Sequence, residues 1–113
     1  MYDGAMGIMV LCAFRPKPGK TEELLEVVHD HLPILRGQGL ATDRPTLAMR
    51  AKDGTVVEVF EWKSADAIRE AHANPEVRKL WERYEACSDM VKMSEVEETG
   101  IMFAGYEPID VAY

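Results

Sequence analysis

The segment "VEVFEWKSADAIREAHANPEVRKLW" holds Glu58, Trp62 and His72 close together, and all three can do chemistry. His72 changes charge near physiological pH. As a base it could take the proton of a phenol and so raise the electron density that oxygen attacks. Its place at a helix C-terminus also suits a capping imidazole that satisfies open carbonyls. Trp62 could wall an aromatic pocket and donate its indole N–H to a ligand oxygen, or fix the strand-to-helix corner it occupies. Glu58 shares a strand face with Phe60 and Trp62, where a carboxylate could act as general acid or base. The competing reading pairs it with Arg50 across a hairpin. Phe60, Trp81, Tyr84 and Arg50 are the side chains expected to shape a substrate pocket beside this group, Trp81 and Tyr84 equally suiting the core. His29-Asp30-His31 has the residue types of a metal site without the spacing. On a helix, residues two apart point roughly 200° from one another, so no metal is expected.

These residues need elements to position them. Residues 6–15 read as a strand, with Ile8, Val10, Cys12 and Phe14 on one side and Met9, Leu11 and Ala13 on the other. In "RPKPGKTEELLEVVHDHLPILRGQG" the prolines break the strand and Thr21 with Glu22 and Glu23 suits a helix start. Leu24, Val28, His31 and Leu35 share a helix face, and Pro33 is expected to end or bend the helix near His31 or Leu32. "RPTLAMRAKDGTVVEVFEW" is a hairpin turning at Asp53-Gly54, a pair that tolerates the positive φ of a tight loop. Leu47, Met49 and Ala51 face together on its first strand. On the second, Val57 and Val59 oppose Val56, Glu58, Phe60 and Trp62. Ser64 caps a short helix through about His72, and Asn74-Pro75-Glu76 starts another. Its buried stripe is Val77, Leu80, Trp81, Tyr84, Ser88 and Val91, after which residues 94–98 and 100–106 read as strand.

The order is β-α-β-β-α-α-β, that of an α+β ferredoxin-like plait with an antiparallel sheet and helices on one face. One helical layer covers one face only, yet both faces of the first strand are apolar. A symmetric homodimer packed sheet to sheet is therefore expected.

Composition narrows the classes. A chain of 113 residues suits one domain, 1–113 with a core of about 6–109. It can bury roughly 65% of its unfolded surface. The net charge of −7 repels phosphate backbones, so nucleic acid is not an expected partner. No stretch approaches the ~20 apolar residues of a membrane span, and no membrane partner is expected. Asp3 precedes the apolar run and Arg-Pro-Lys-Pro follows it, which does not read as a signal peptide. Cys12 and Cys87 read as reduced, mostly buried thiols, consistent with a cytoplasmic protein.

"FRPKPGKTEELLEVV", the strip from Val57 to Trp81 and "FAGYEPI" together resemble the antibiotic-biosynthesis-monooxygenase family of dimeric α+β barrels, from about Ile8 to Ile109. The most specific pieces are Lys-Pro-Gly-Lys after the first strand and the Trp-x-Ser-x-x-Ala-x-x-x-His order from Trp62 to His72. The resemblance implies oxidation of quinols, anthrones and related aromatics by molecular oxygen. It implies no metal or flavin cofactor, because an electron-rich phenolate can itself reduce oxygen. Haem-degrading members use an asparagine on the first strand and a histidine on the last helix. Cys12 and Trp81 hold those places here, so a haem role is not expected. The leading expectation is a cofactor-independent monooxygenase with Trp62 holding the ring and His72 or Glu58 taking the hydroxyl proton. The alternatives are a non-catalytic dimer that binds a small apolar molecule, and an isomerase or lyase on the same fold.

Overall fold

The alternation in the first strand does what its chemistry requires. Val10, Cys12 and Phe14 join the core beneath the helices, while Ala13 turns to the opposite side of the sheet. In the computed structural model, which describes residues 7–111, this strand is β1 (Ile8–Pro16). The expected start at Met6 lies outside the described residues.

Then follow α1 (Thr21–Gly37), β2 (Leu47–Arg50), β3 (Val56–Trp62), α2 (Ala65–Ala73), α3 (Pro75–Cys87), β4 (Ser88–Val91) and β5 (Glu107–Ile109). The strands form one open antiparallel sheet in the order β4-β1-β3-β2-β5. This is the ferredoxin-like α+β plait with an added edge strand.

Each helix has a local cause. Ser64 Oγ accepts the Ala67 amide at 3.0 Å and starts α2. Asn74 Oδ1 accepts the amides of Glu76 and Val77 at 2.9 and 3.2 Å, with Pro75 in the first turn of α3. The hairpin turns at Gly54, whose φ of 93° only glycine adopts without strain, and Asp53 Oδ1 accepts the Thr55 amide at 2.9 Å.

Three expectations about local structure are corrected. Pro33 does not end α1, which continues to Gly37. Pro33 lies on the exposed side, while Leu32 and Leu35 are buried on the other and hold the turn in place. A proline on the solvent side costs one hydrogen bond where helices already curve outward. Second, the helical stripe assigned through Ser88 and Val91 stops at Cys87. Ser88–Val91 instead pairs with β1 from Ala13 to Pro16, because the polar groups on that edge need partners. The tail expected as strand over 94–98 and 100–106 forms two 3-10 turns, Met93–Glu95 and Glu97–Gly100. Side chains replace the ladder there: Thr99 Oγ1 donates to Met93 O and Val96 O at 2.7 Å each, and Glu98 accepts the Lys52 amide at 2.7 Å.

The helices cover one face of the sheet. On the other, Val96, Met93 and Tyr106 of the tail pack on Ala13, Ala51 and Val57. Beyond the tail, Leu11, Val59 and Leu47 lie side by side across β1, β3 and β2. Leu11 and Leu47 are 56% and 59% exposed and Met9 48%. No helix among the described residues is long and apolar enough to cross a membrane.

Candidate functional site

Sheet register decides where Glu58 sits. It faces Cys12 across β1 and Ala48 across β2, in the middle of the sheet and on the helix side. The side chain is 0% exposed. A carboxylate so buried must be paired or hydrogen-bonded to be tolerated. Its partners come from two helices. Tyr84 of α3 donates its hydroxyl to Oε1 at 2.6 Å. His31 of α1 places Nδ1 at 3.2 and 3.0 Å from Oε1 and Oε2, the arrangement of one N–H shared by both oxygens of a carboxylate. The His31 ring stands edge-on to Phe60 and to Tyr84, with centroids 5.0 and 5.2 Å away, and Tyr84 stacks on Phe14 at 4.2 Å. The packing therefore fixes the ring plane as well as the hydrogen bond.

With Nδ1 engaged by Glu58, the His31 ring also lines a cavity. That cavity measures about 470 Å³, in the ~300–1,000 Å³ range of small-molecule sites. Phe60, Trp62, Trp81 and Tyr84 wall it, Cys12 and Val10 come from β1, and His72 reaches it from α2. No lysine or arginine lines it among the described residues. β4 pairs with β1 only along Ala13–Pro16, and its Met90, which also lines the cavity, is 74% exposed.

Most of the residues singled out from sequence meet here. Trp62 and Phe60 lie together with ring centroids 5.5 Å apart. His72 is exposed, and its Nδ1–H donates to Ile68 O at 2.9 Å, as a helix-end imidazole does. Its ring also stands edge-on to Trp81 at 5.0 Å, so it sits at the cavity wall while serving the helix. Arg50 does not come to this site. On β2 it pairs with Val56 of β3, it is not among the residues lining the cavity, and its Nε has no hydrogen-bond partner. The cross-hairpin pairing of Arg50 with Glu58 is thus replaced by His31 and Tyr84.

Cys12 faces the same space. Burial first, and the Glu58 charge second, push its thiol far above the ordinary range, partly offset by a backbone hydrogen bond at Glu58. It presents a neutral S–H, in contact with Glu58 O at 3.9 Å. His31 was weighed from sequence only as a metal ligand with His29. The structure buries His31 at 3% and leaves His29 exposed. The face shared by Leu24, Val28, His31 and Leu35 already placed this histidine inward, but nothing local pointed to its partner. Among the described residues, no group of three or more His, Cys, Asp or Glu could hold a metal ion.

Comparison with protein-family models, curated proteins and solved structures finds no match to the chain.

Proposed function

We propose that the chain is a cofactor-independent monooxygenase acting on a small hydroxylated aromatic of the quinol or anthrone type. The observation that carries this reading is the buried Glu58–His31 pair against a cavity walled by Trp62, Phe60, Trp81 and Tyr84. Oxidation of such a ring by oxygen begins with loss of a hydroxyl proton, and the pair offers an acceptor for it in a water-poor site. The aromatic walls supply stacking area, and the absence of cationic side chains matches an uncharged substrate. The motif resemblance from Ile8 to Ile109 points the same way.

The proposal includes a homodimer. The row Leu11, Val59 and Leu47, with Met9 beside it, is apolar, Val59 half-buried and the other three exposed, and a second sheet would cover it. Sheet-to-sheet packing at the usual ~10 Å spacing would bury that row.

The test is oxygen uptake by metal-free protein against quinols, anthrones and naphthols, with Trp62→Ala/His72→Ala and Glu58→Gln variants beside it. Uptake that Glu58→Gln loses supports the reading. Uptake equal to the buffer rate for every compound refutes it. Because the pair moves a proton with or without oxygen, isomerisation or elimination on the same ring is the second reading. Turnover of those compounds under argon would establish it, and binding without turnover would leave a carrier.

A further inference from the structure

We infer that His31 Nε2 is the proton-accepting atom of the cavity, held in line by Glu58 and Tyr84, and that the site takes hydroxyarenes in uncharged and holds them as anions. This rests on the reading of the cavity as a hydroxyarene site and deepens it by assigning the base, the charge class of the ligand and its bound protonation state.

The geometry gives each residue a distinct part. Glu58 accepts Tyr84 O–H at 2.6 Å and His31 Nδ1–H at 3.0 Å. The Glu58 oxygens accept both donors, and a hydrogen bond donated to Glu58 places the proton of a neutral imidazole on Nδ1. Nε2 then carries a lone pair, on a ring that lines the cavity. When a hydroxyarene enters, its O–H bond breaks, the proton forms the Nε2–H bond, and the electron pair remains on the ring oxygen. The step needs no oxidant. The imidazolium formed lies between two anions, Glu58 and the bound oxygen, which is the charge logic of a carboxylate–histidine pair in acyl-transfer enzymes. Glu58 and Tyr84 touch no ligand oxygen in this scheme and are positioning residues.

The other titratable groups facing the cavity do not compete for this part. Cys12 on β1 is a neutral thiol that burial keeps protonated. His72 on α2 commits Nδ1–H to its own helix and sits on an exposed turn. Glu85 on α3 is exposed at the lining, and its negative charge adds to that of Glu58. Two carboxylates and no lysine or arginine make the site hostile to an anionic ligand arriving from water.

The experiment is anaerobic and needs no turnover. The tryptophans of the chain, Trp62 and Trp81, both line the cavity, so their fluorescence reports occupancy. The near-ultraviolet absorption of 2-naphthol distinguishes its neutral and ionised forms. In water at pH 7 less than about 1% of such a hydroxyl is ionised, taking a phenol near ~10. The expected result is a bound naphthol mostly in the anion form, at least a 100-fold rise in the ratio of ionised to neutral ligand. 6-Hydroxy-2-naphthoate should bind at least tenfold more weakly than 2-naphthol.

Glu58→Gln should still bind and should lose the anion spectrum, because the amide N–H₂ donates to Nδ1 and moves the imidazole proton onto Nε2. His31→Gln should bind the neutral ligand only. Should either variant fail to fold by circular dichroism, the wild-type spectrum decides alone. A wild-type complex whose naphthol stays neutral overturns the inference and leaves the oxygenase reading standing. So does a folded Glu58→Gln protein that keeps the anion spectrum. An anion spectrum here, together with no oxygen uptake for any compound in the aerobic assay, supports the inference and sinks the oxygenase reading. No binding of any hydroxyarene overturns both.

Discussion

Replacing Tyr84 with phenylalanine isolates one hydrogen bond in the buried group. The ring keeps its stack on Phe14, and no side-chain volume beyond one oxygen is lost. What disappears is the O–H that Glu58 Oε1 accepts at 2.6 Å. Hydrogen bonds to charged groups contribute about 1.5–3 kcal/mol, and Glu58 at 0% exposure has no water to replace this one. The expected destabilisation is about 2 kcal/mol. For 113 residues, an unfolding entropy of ~2.1 cal/mol/K per residue makes 1 kcal/mol worth about 4 °C, so Tm should fall by about 8 °C. Thermal and urea unfolding followed by circular dichroism, at one protomer concentration, measure this. The pair Tyr84→Phe and Glu58→Gln closes a double-mutant cycle, in which the two changes should couple by about 1 kcal/mol or more. A Tm drop below about 2 °C, or additivity of the two changes, would show that Tyr84 and Glu58 do not act on one another and would refute the description of the site as a connected group.

Removing the Asn74 cap with Asn74→Ala should cost about 1 kcal/mol of stability, read as a lower urea midpoint at unchanged m, since two amides of α3 lose their acceptor; no change would show that the proline alone starts the helix. The Thr42 hydroxyl first, and the Arg44 guanidinium second, hold the Glu61 carboxyl below the usual carboxylate range. A depressed carboxyl contributes stability that is present above its unfolded value of about 4.3 and lost as pH falls through the lower folded value. The stability gap between wild type and Glu61→Gln should therefore be constant above about pH 5 and close in more acidic solution, and a gap that widens in acid would reverse the sign. Leu47→Glu puts a charge at the β2 end of the apolar row, so sedimentation should show a dimer for wild type and a monomer for the variant; a wild-type monomer would remove the sheet-to-sheet dimer from the proposal.

Some of this protein is legible one short segment at a time. Asp53-Gly54 makes its turn because the φ of 93° is a property of glycine, and the Asp53 side chain reaches an amide two residues on. Ser64 and Asn74 start their helices by bonding amides within three residues. The alternation of β1 and β3 sorts Val10, Cys12, Glu58 and Phe60 to one face and Ala13 and Val57 to the other, as the pleat dictates. Backbone chemistry acting over a few bonds is enough for each. Ser88–Val91 was not legible in that way, since helical spacing of apolar residues ran on through it and only the open edge of β1 made it a strand.

The candidate site belongs to the second kind. Sequence placed Glu58 among aromatic side chains and His31 on the buried face of α1, each correctly and each alone. Whether Glu58 met Arg50 on the neighbouring strand or a group from the helices above depended on which helix faces came down over the centre of the sheet. The structure brings His31 from 27 positions before Glu58 and Tyr84 from 26 after it. Glu58 was free to take any partner that packing delivered, because a buried carboxylate must be satisfied but does not say by whom.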